Sequence, residues 1–539
     1  MVFNNNLLMG AAAAATSTIS TWTPKGAIWF DGAADYLTKT FSSSALNTKG
    51  TYSFWMKRAQ LSTATETFIS VGSGAGSAAN TWMNIRFQSG DQMWANDYSY
   101  LRLRTTQVFR DPTAWYHFVF RFDTTLEGDA DARFRVYVNG EQITSFVSRV
   151  DYAQNDQVNL SGNGHPFLIG QWNSSEWFNG YISEFVFLDG YSAPPSDFGT
   201  EDSNGVWIPK DPTDTVTDNK GTNGFWLDFA DSSDLGNDVS GNNHDFTATS
   251  MSSANWTYDR PADSGTDTGN QCTFNPIFKN NATNNPPTFS NGNLTATSSS
   301  GSKTAITTIP IPTTGKWSCK VTKGALTSSY DWFNLMIVKA SNFPQSTANP
   351  HDGASDTIAA VYSSGNDTVR IFEEGTEEVS VTAWGTGTGN VEALVDRDAN
   401  TIIWYMNGSR IQDGGSDYTT NIPSQLQGED CWFGIYVEDA EISITMNYTA
   451  SDTDYSVALA TQNLPAPTVT KPSDNFLPIV YEGNGKTQRV GNFIPFTDSK
   501  TVNYSGRFDS GDSQYLEMTP DSAATSATIW TFSTWFKRG

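Results

Sequence analysis

Short stretches in which apolar and polar residues alternate recur along most of the chain. Tyr52-Ser-Phe-Trp-Met alternates faces, and Trp115-Tyr-His-Phe-Val-Phe-Arg-Phe122 is a longer run with one apolar face. Phe134-Arg-Val-Tyr-Val-Asn-Gly140 runs into Asn-Gly, a strong hairpin signal because both turn positions need positive φ. Phe167-Leu-Ile-Gly-Gln and Tyr181-Ile-Ser-Glu-Phe-Val-Phe-Leu-Asp189 continue the series. A period of two with turn residues between runs predicts half-buried antiparallel strands, and many of them at this spacing predict stacked sheets.

Composition points the same way. Aromatic residues make up 13% of the 539 positions and charged residues only 17%. Straight-chain helix formers are sparse, while Thr, Ser, Asn, Gly and aromatics abound, which favours strands and turns. The expected fold class is all-β: tandem antiparallel β-sandwich (jelly-roll) domains joined by aromatic-pinned linkers. A single core rarely outgrows about 250–300 residues, so two or more domains are expected.

Charge and cysteines narrow the function. With 32 basic and 57 acidic residues the net charge is −25, a field that repels phosphate backbones, so no nucleic-acid partner is expected. Cys272, Cys319 and Cys431 are odd in number and widely spaced, fitting neither a disulfide framework nor a zinc motif. They read as buried small apolar residues of a chain that folds in a reducing cytoplasm. No apolar run approaches the ~18 residues that span a bilayer. The start, Met1-Val-Phe-Asn-Asn-Asn-Leu-Leu-Met-Gly-Ala-Ala-Ala-Ala-Ala15, lacks the basic residues of a secretory signal. It reads instead as an arm, residues 1–26, anchoring on a partner through Phe3, Leu7, Leu8 and Met9.

An internal repeat sets the organisation. Trp29-Phe-Asp-Gly-Ala-Ala-Asp-Tyr-Leu37 followed by Tyr52-Ser-Phe-Trp-Met-Lys-Arg58 returns as Arg507-Phe-Asp-Ser-Gly-Asp-Ser-Gln-Tyr-Leu516 followed by Phe532-Ser-Thr-Trp-Phe-Lys-Arg538. Residues 496–539 therefore read as the incomplete start of a second copy, and the chain is expected to continue past Gly539. A Pro-rich spacer is expected over 451–495.

The order Phe30-Asp-Gly, Tyr36-Leu, Phe54-Trp, Trp115-Tyr-His, Val136-Tyr-Val-Asn-Gly140, Ile169-Gly and Gly180-x-Ile-x-Glu-Phe resembles a laminin G-like, concanavalin A-type jelly roll over 27–195. A connector is expected over 196–275. Its blocks Val206-Trp-Ile-Pro-Lys210, Gly221-Thr-Asn-Gly-Phe-Trp-Leu-Asp-Phe229 and Leu235-Gly-Asn-Asp-Val-Ser-Gly-Asn-Asn-His-Asp-Phe246 resemble virion proteins of marine tailed phages, as does Phe3-Asn-Asn-Asn-Leu-Leu-Met-Gly10. Over 276–450, Gly315-Lys-Trp-Ser-Cys-Lys-Val321, Val391-Glu-Ala-Leu-Val-Asp-Arg-Asp398 and Ile402-Ile-Trp-Tyr-Met-Asn-Gly408 resemble a SPRY-type β-sandwich, with Cys319 and Lys320 where that family has an aromatic and an acid. The resemblance implies a virion structural protein, a tail fibre or appendage, acting in host attachment as a homo-oligomer such as a trimer. Capsid-surface decoration and polysaccharide depolymerisation are the alternatives.

No catalytic set stands out. Sugar-cleaving acids sit as a close facing pair. Glu127-Gly-Asp129 lies in a polar turn, and Glu438 and Glu441 are wrongly spaced to share a strand face. His117 reads as structural. Asp31, Asp35 and Asp123 stand where some relatives hold calcium, and Asp231, Asp234, Asp238 and Asp245 form an acidic loop. Neither set gathers the six to eight oxygens calcium takes, so no metal site or cofactor is expected, calcium being the one cation the pattern allows. No enzyme is expected. Trp94, Tyr98, Tyr100, Trp172 and Trp177 flank Gly and Asn in predicted loops and are the candidates for stacking on a host glycan, with core or interface packing the competing role for each.

Overall fold

The computed structural model describes residues 22–464, apart from 43–45, 62–63, 73–81, 99, 163, 202–205, 262–268, 279–285, 299–300, 324–331, 340–356, 364–366, 384–387, 439–440, 446–449 and 456–458. The arm residues Phe3, Leu7, Leu8 and Met9, and the repeat at 496–539, lie outside the described residues.

Two pairs of antiparallel sheets carry the fold. In the first sandwich one sheet runs, in spatial order, Glu141–Gln142, Phe134–Val138, Tyr116–Asp123, Lys49–Arg58, Asn179–Asp189, Ala27–Asp31 and Trp256–Thr257, with Phe225–Leu227 also pairing Asn179–Asp189. The facing sheet runs Phe146–Arg149, Leu101–Val108, Gln92–Asp97, Trp82–Phe87, Glu66–Gly72, Pro166–Ile169, Tyr36–Thr40 and Thr247–Thr249. Alternation along each strand sends one set of side chains into the shared core. Phe54, Phe118, Phe120 and Phe185 come from the first sheet, and Phe68, Phe87, Met93 and Phe167 from the second. Phe54 stacks on Phe185 with centroids 4.9 Å apart and planes 6° from parallel.

The second sandwich is built the same way. One sheet holds Lys316–Lys323, Gly389–Asp396 and Thr401–Met406 side by side, and the other holds Trp432–Glu438, Trp332–Val338 and Thr357–Ser363. Its core includes Trp317, Trp404, Phe333, Cys272, Cys319 and Cys431. All three cysteines are free and buried, as small apolar residues are. Among the described residues the one α-helix is Thr213–Asn219, and no helix is long and apolar enough to cross a membrane.

The expected boundaries need correcting. The span 196–275 is no linker, because three of its strands enter the first sandwich. Phe225–Leu227 pairs Asn179–Asp189, Thr247–Thr249 pairs Tyr36–Thr40, and Trp256–Thr257 pairs Ala27–Asp31. Phe225, Leu227 and Phe246 are buried in that core. Trp22, assigned to the arm, packs against a buried cluster on the outer side of the same sandwich, formed by Val186, Leu188, Phe198 and Trp226. Leu459 and Leu464, assigned to the spacer, belong to the second core. Single aromatic residues in a turn-rich segment look like pins in the sequence, but they become core once a free sheet edge accepts their strand.

A buried polar weld joins the sandwiches. Lys57, 1% exposed, donates to Asp259 and, at 3.1 Å, to Asn270 Oδ1, and lies 4.6 Å from the Tyr181 ring centroid. Trp115 Nε1–H donates to Asp259 Oδ1 at 3.2 Å. Tyr181 O–H donates to the Gly292 carbonyl at 2.6 Å, and Asn293 Nδ2–H to the Ala59 carbonyl at 2.8 Å. Gly292 has φ +63, and any Cβ there would sit 2.2 Å from the Tyr181 hydroxyl, so this contact requires glycine. Burial lowers the Lys57 pKa, and Asp259 opposes the shift.

Candidate functional site

The outward face of the Trp82–Phe87 and Gln92–Asp97 strands follows from their inward set. Met83, Ile85, Phe87, Met93 and Ala95 point to the core, so Trp82, Asn84, Arg86, Gln92, Trp94 and Asn96 point away from it. Register places Arg86 opposite Trp94, and Trp94 opposite Arg104 on the next strand. The row across three strands is therefore Arg–Trp–Arg. Beside it Asn96 Nδ2–H donates to Asn84 Oδ1 at 3.0 Å.

A small hairpin, Gln171–Trp172 with Glu176–Trp177, folds against this face. Arg86 Nη1 donates to both oxygens of Glu176, at 3.0 and 2.9 Å, and Thr67 Oγ1–H donates to Glu176 Oε2 at 2.8 Å. The hairpin brings Trp172 to Trp82, centroids 5.1 Å apart, and Trp177 to Tyr36, 6.1 Å apart. Asn173 and Ser174 turn it with φ +50 and +53. The result is a face with half-buried aromatic rings, two arginines, two asparagines and one paired acid. It offers ring faces to stack on and fixed donors to bond hydroxyls.

Of the rings singled out in the sequence, the structure places Trp94, Trp172 and Trp177 on or against this face. Trp94 is on a strand, not in the predicted loop. Tyr98 and Tyr100 are at the rim: Tyr98 is half-buried, while Tyr100 is 54% exposed with the Arg102 guanidinium 4.8 Å from its centroid. Arg86, Arg104, Glu176 and Trp82 were not anticipated. The signal for them was the phase of Gln92-Met-Trp-Ala-Asn, in which Met93 and Ala95 claim the core side and leave Trp94 and its strand neighbours outside.

Elsewhere the carboxylates are engaged locally. Asp31 Oδ1 accepts the backbone N–H of Ala33 at 2.7 Å and of Ala34 at 2.9 Å, closing its own turn. Asp35 Oδ2 accepts from Asn255 Nδ2 at 2.8 Å, and burial raises its pKa to about 6. Asp123 accepts from Thr125 and pairs with Lys49 at 3.2 Å. Asp231, Asp234, Asp238 and Asp245 accept backbone N–H groups within their loop. Among the described residues no three His, Cys, Asp or Glu side chains cluster as a metal site would require. Glu127 and Asp129 flank an exposed turn, and Glu438 accepts from Tyr436 O–H at 2.6 Å. The Glu441 side chain lies outside the described residues.

One further carboxyl is unusual. Glu184 sits in a bulge of Asn179–Asp189, where register slips between Ser183 and Val186, with φ +53. Its Oε2 accepts from Trp226 Nε1–H at 2.7 Å, its Oε1 is buried without a partner, and burial raises its pKa to about 8. It lines a slot with Trp22, Trp55, Phe198 and Lys210, with about 10 Å³ of room for a water-sized sphere. That is space for about one water.

Residues 31–191 match the family described as the concanavalin A-like lectin/glucanases superfamily, laminin G type. No curated protein sequence matches the chain. Among solved structures, the chain is similar to the heptameric SAP-like pentraxin from Limulus polyphemus, at 17% identity over 32% of this chain and 80% of that one, with a TM-score of 0.24. It is similar to domains LG4-5 of the mouse laminin alpha1 chain, at 9% identity over 79% of this chain and 92% of that one, TM-score 0.27. The SPRY domain of human HERC1 matches at 13% identity over 27% of this chain and 83% of that one, TM-score 0.20. The family match over 31–191 and the two facing antiparallel sheets together support a laminin G-like, concanavalin A-like lectin domain as the first sandwich.

Proposed function

We propose that this chain is a non-enzymatic adhesion protein that binds surface glycan through the outward face of its first sandwich, as a tail fibre or appendage of a tailed phage. The observation that carries the binding role is the Arg86–Trp94–Arg104 row with the Trp82–Trp172 pair beside it. Rings and fixed polar groups on one rigid sheet suit a saccharide, whose CH faces stack and whose hydroxyls bond.

A role without catalysis is supported by how the acids are held. Glu176, the acid at this face, is bound by Arg86. The virion reading rests on the connector and N-terminal motifs. The SPRY-like reading of the second sandwich gains support from its motifs lying side by side in one sheet: Lys316–Lys323 pairs Gly389–Asp396, which pairs Thr401–Met406. In an oligomeric appendage, several weak glycan contacts per particle add up to firm attachment.

The test is binding of the full chain to surface polysaccharide of the bacterial host, beside Trp94→Ala and Trp82→Ala. The native chain is expected to bind without releasing reducing ends, and both variants to bind at least about tenfold more weakly while melting as the native chain does. New reducing ends, or binding indifferent to both variants, would defeat the proposal. Antibody against the chain is expected to label phage tails. Label confined to the head would select capsid decoration.

A further inference from the structure

The two arginines flanking Trp94 differ electrostatically. Arg86 is charge-paired with Glu176, whose two oxygens both accept from its Nη1. Arg104 donates from Nε to Gln92 Oε1 at 2.8 Å, and its guanidinium carbon lies 5.1 Å from the Trp94 centroid. Among the described residues no carboxylate lies within ion-pair distance of it, whereas Arg86, Arg102, Arg110 and Arg149 on and around the same sheet each have one. Trp94 Nε1–H, next to it, is buried without an acceptor. An unmade buried hydrogen bond is costly, so this corner has donors to spare. The acceptors nearby are taken: Asn84 Oδ1 by Asn96, and both Glu176 oxygens by Arg86. A ligand fitting here has to bring acceptors, and a negative charge fits best.

We propose that Arg104 and Trp94 form a subsite for the carboxylate of a hexuronate unit in an acidic polysaccharide. The inference rests on the glycan-binding reading of this face and adds the ligand's charge. The free edge of a guanidinium matches a planar carboxylate through two parallel N–H···O bonds. Stacking on the indole already restrains the Arg104 side chain, so less freedom is lost on binding. The net charge of −25 opposes polyanions at long range. Exposed charges are screened beyond ~8 Å at physiological salt, however, and a direct fork contact acts well inside that distance.

The experiment is calorimetric titration of the full chain with galacturonate and mannuronate oligomers, with the same oligomers after carboxyl reduction, and with dextran sulfate. A uronate oligomer is expected to bind at least about tenfold more tightly than its reduced form and to weaken as NaCl rises. Arg104→Gln is expected to bring uronate affinity down to that of the reduced oligomer. Arg104→Lys, a point charge without the fork, keeps only part of the difference. Equal affinity for charged and reduced oligomers, unchanged in Arg104→Gln, would overturn the uronate assignment and leave the glycan-binding reading intact. Dextran sulfate binding as tightly as uronate, and lost in the same variant, would replace the assignment with general polyanion binding. A native chain that takes up no saccharide would overturn the reading of the face itself.

Discussion

Trp207 donates its indole N–H to Nδ1 of His117 at 2.9 Å. Because that indole only donates, Nδ1 is the acceptor, and the ring proton of neutral His117 sits on Nε2, 2.9 Å from Ser53 Oγ. The imidazole thus donates to the serine hydroxyl, the reverse of what activates a nucleophile. Trp55 stacks on the ring with centroids 4.8 Å apart. These contacts lock the His117 ring between Trp207, Ser53 and Trp55.

His117 should make the fold acid-sensitive. Burial lowers its pKa from 6.5 to about 3. As pH falls through 6.5 the unfolded chain takes up a proton that the folded chain refuses until about 3, so stability drops across that window. At 1.36 kcal/mol per unit the limit is about 5 kcal/mol. His117→Gln is expected to be less stable near pH 7 and to show a flatter slope down to about pH 4, read from urea melts.

Glu184 should act in the opposite direction. Its folded pKa, about 8 against the usual 4.5, means the folded state keeps a proton the unfolded state has lost. Stability is therefore greatest below 4.5 and declines as pH rises to about 8. Glu184→Gln keeps an acceptor for Trp226 and is expected to abolish that decline, gaining about 2–4 kcal/mol near pH 8. A slope that persists between pH 6 and 8 in this variant, above the range in which Asp35 contributes, would overturn the assignment to Glu184.

Breaking the Lys57–Asp259 weld from one side should be costly. Lys57→Ala leaves Asp259 buried and uncompensated, an expected loss of about 3–5 kcal/mol. Calorimetry is expected to show one unfolding transition for the native chain and two for the variant. The double replacement Lys57→Met with Asp259→Leu should recover much of the loss, because no buried charge remains.

Phe54 tests the aromatic core. It touches Phe68, Phe118, Phe120 and Phe185 with centroids 4.9–6.0 Å apart. Phe54→Ala is expected to cost about 3–5 kcal/mol and Phe54→Leu clearly less, measured by denaturant titration.

Much of the local structure was legible because it rests on local rules. Asn139-Gly140 turns a hairpin as expected, with φ +48 and +80, and Asn407-Gly408 turns another, with φ +49 and +76. Val138 pairs Glu141, and Met406 pairs Ser409, across those turns. The rings of the outward face were only half legible. Trp94 and Trp172 were marked as aromatic residues near turns, but Arg104 was not, since its meaning depends on having no carboxylate beside it. Absence of a partner is a property of three-dimensional neighbours, not of sequence neighbours.

By itself the sequence determined the all-β class, the strand runs and their turns, and the single apolar face of Trp115–Phe122, because alternation and turn chemistry act over a few residues. Only the tertiary structure decided that Trp256–Thr257 closes onto Ala27–Asp31, that Phe225–Leu227 and Thr247–Thr249 join the first sandwich, and that Arg86, Trp94 and Arg104 share a row. Strand order is chosen by whichever exposed edge and apolar face the folded core leaves open, and partners more than two hundred residues apart carry no local mark of each other.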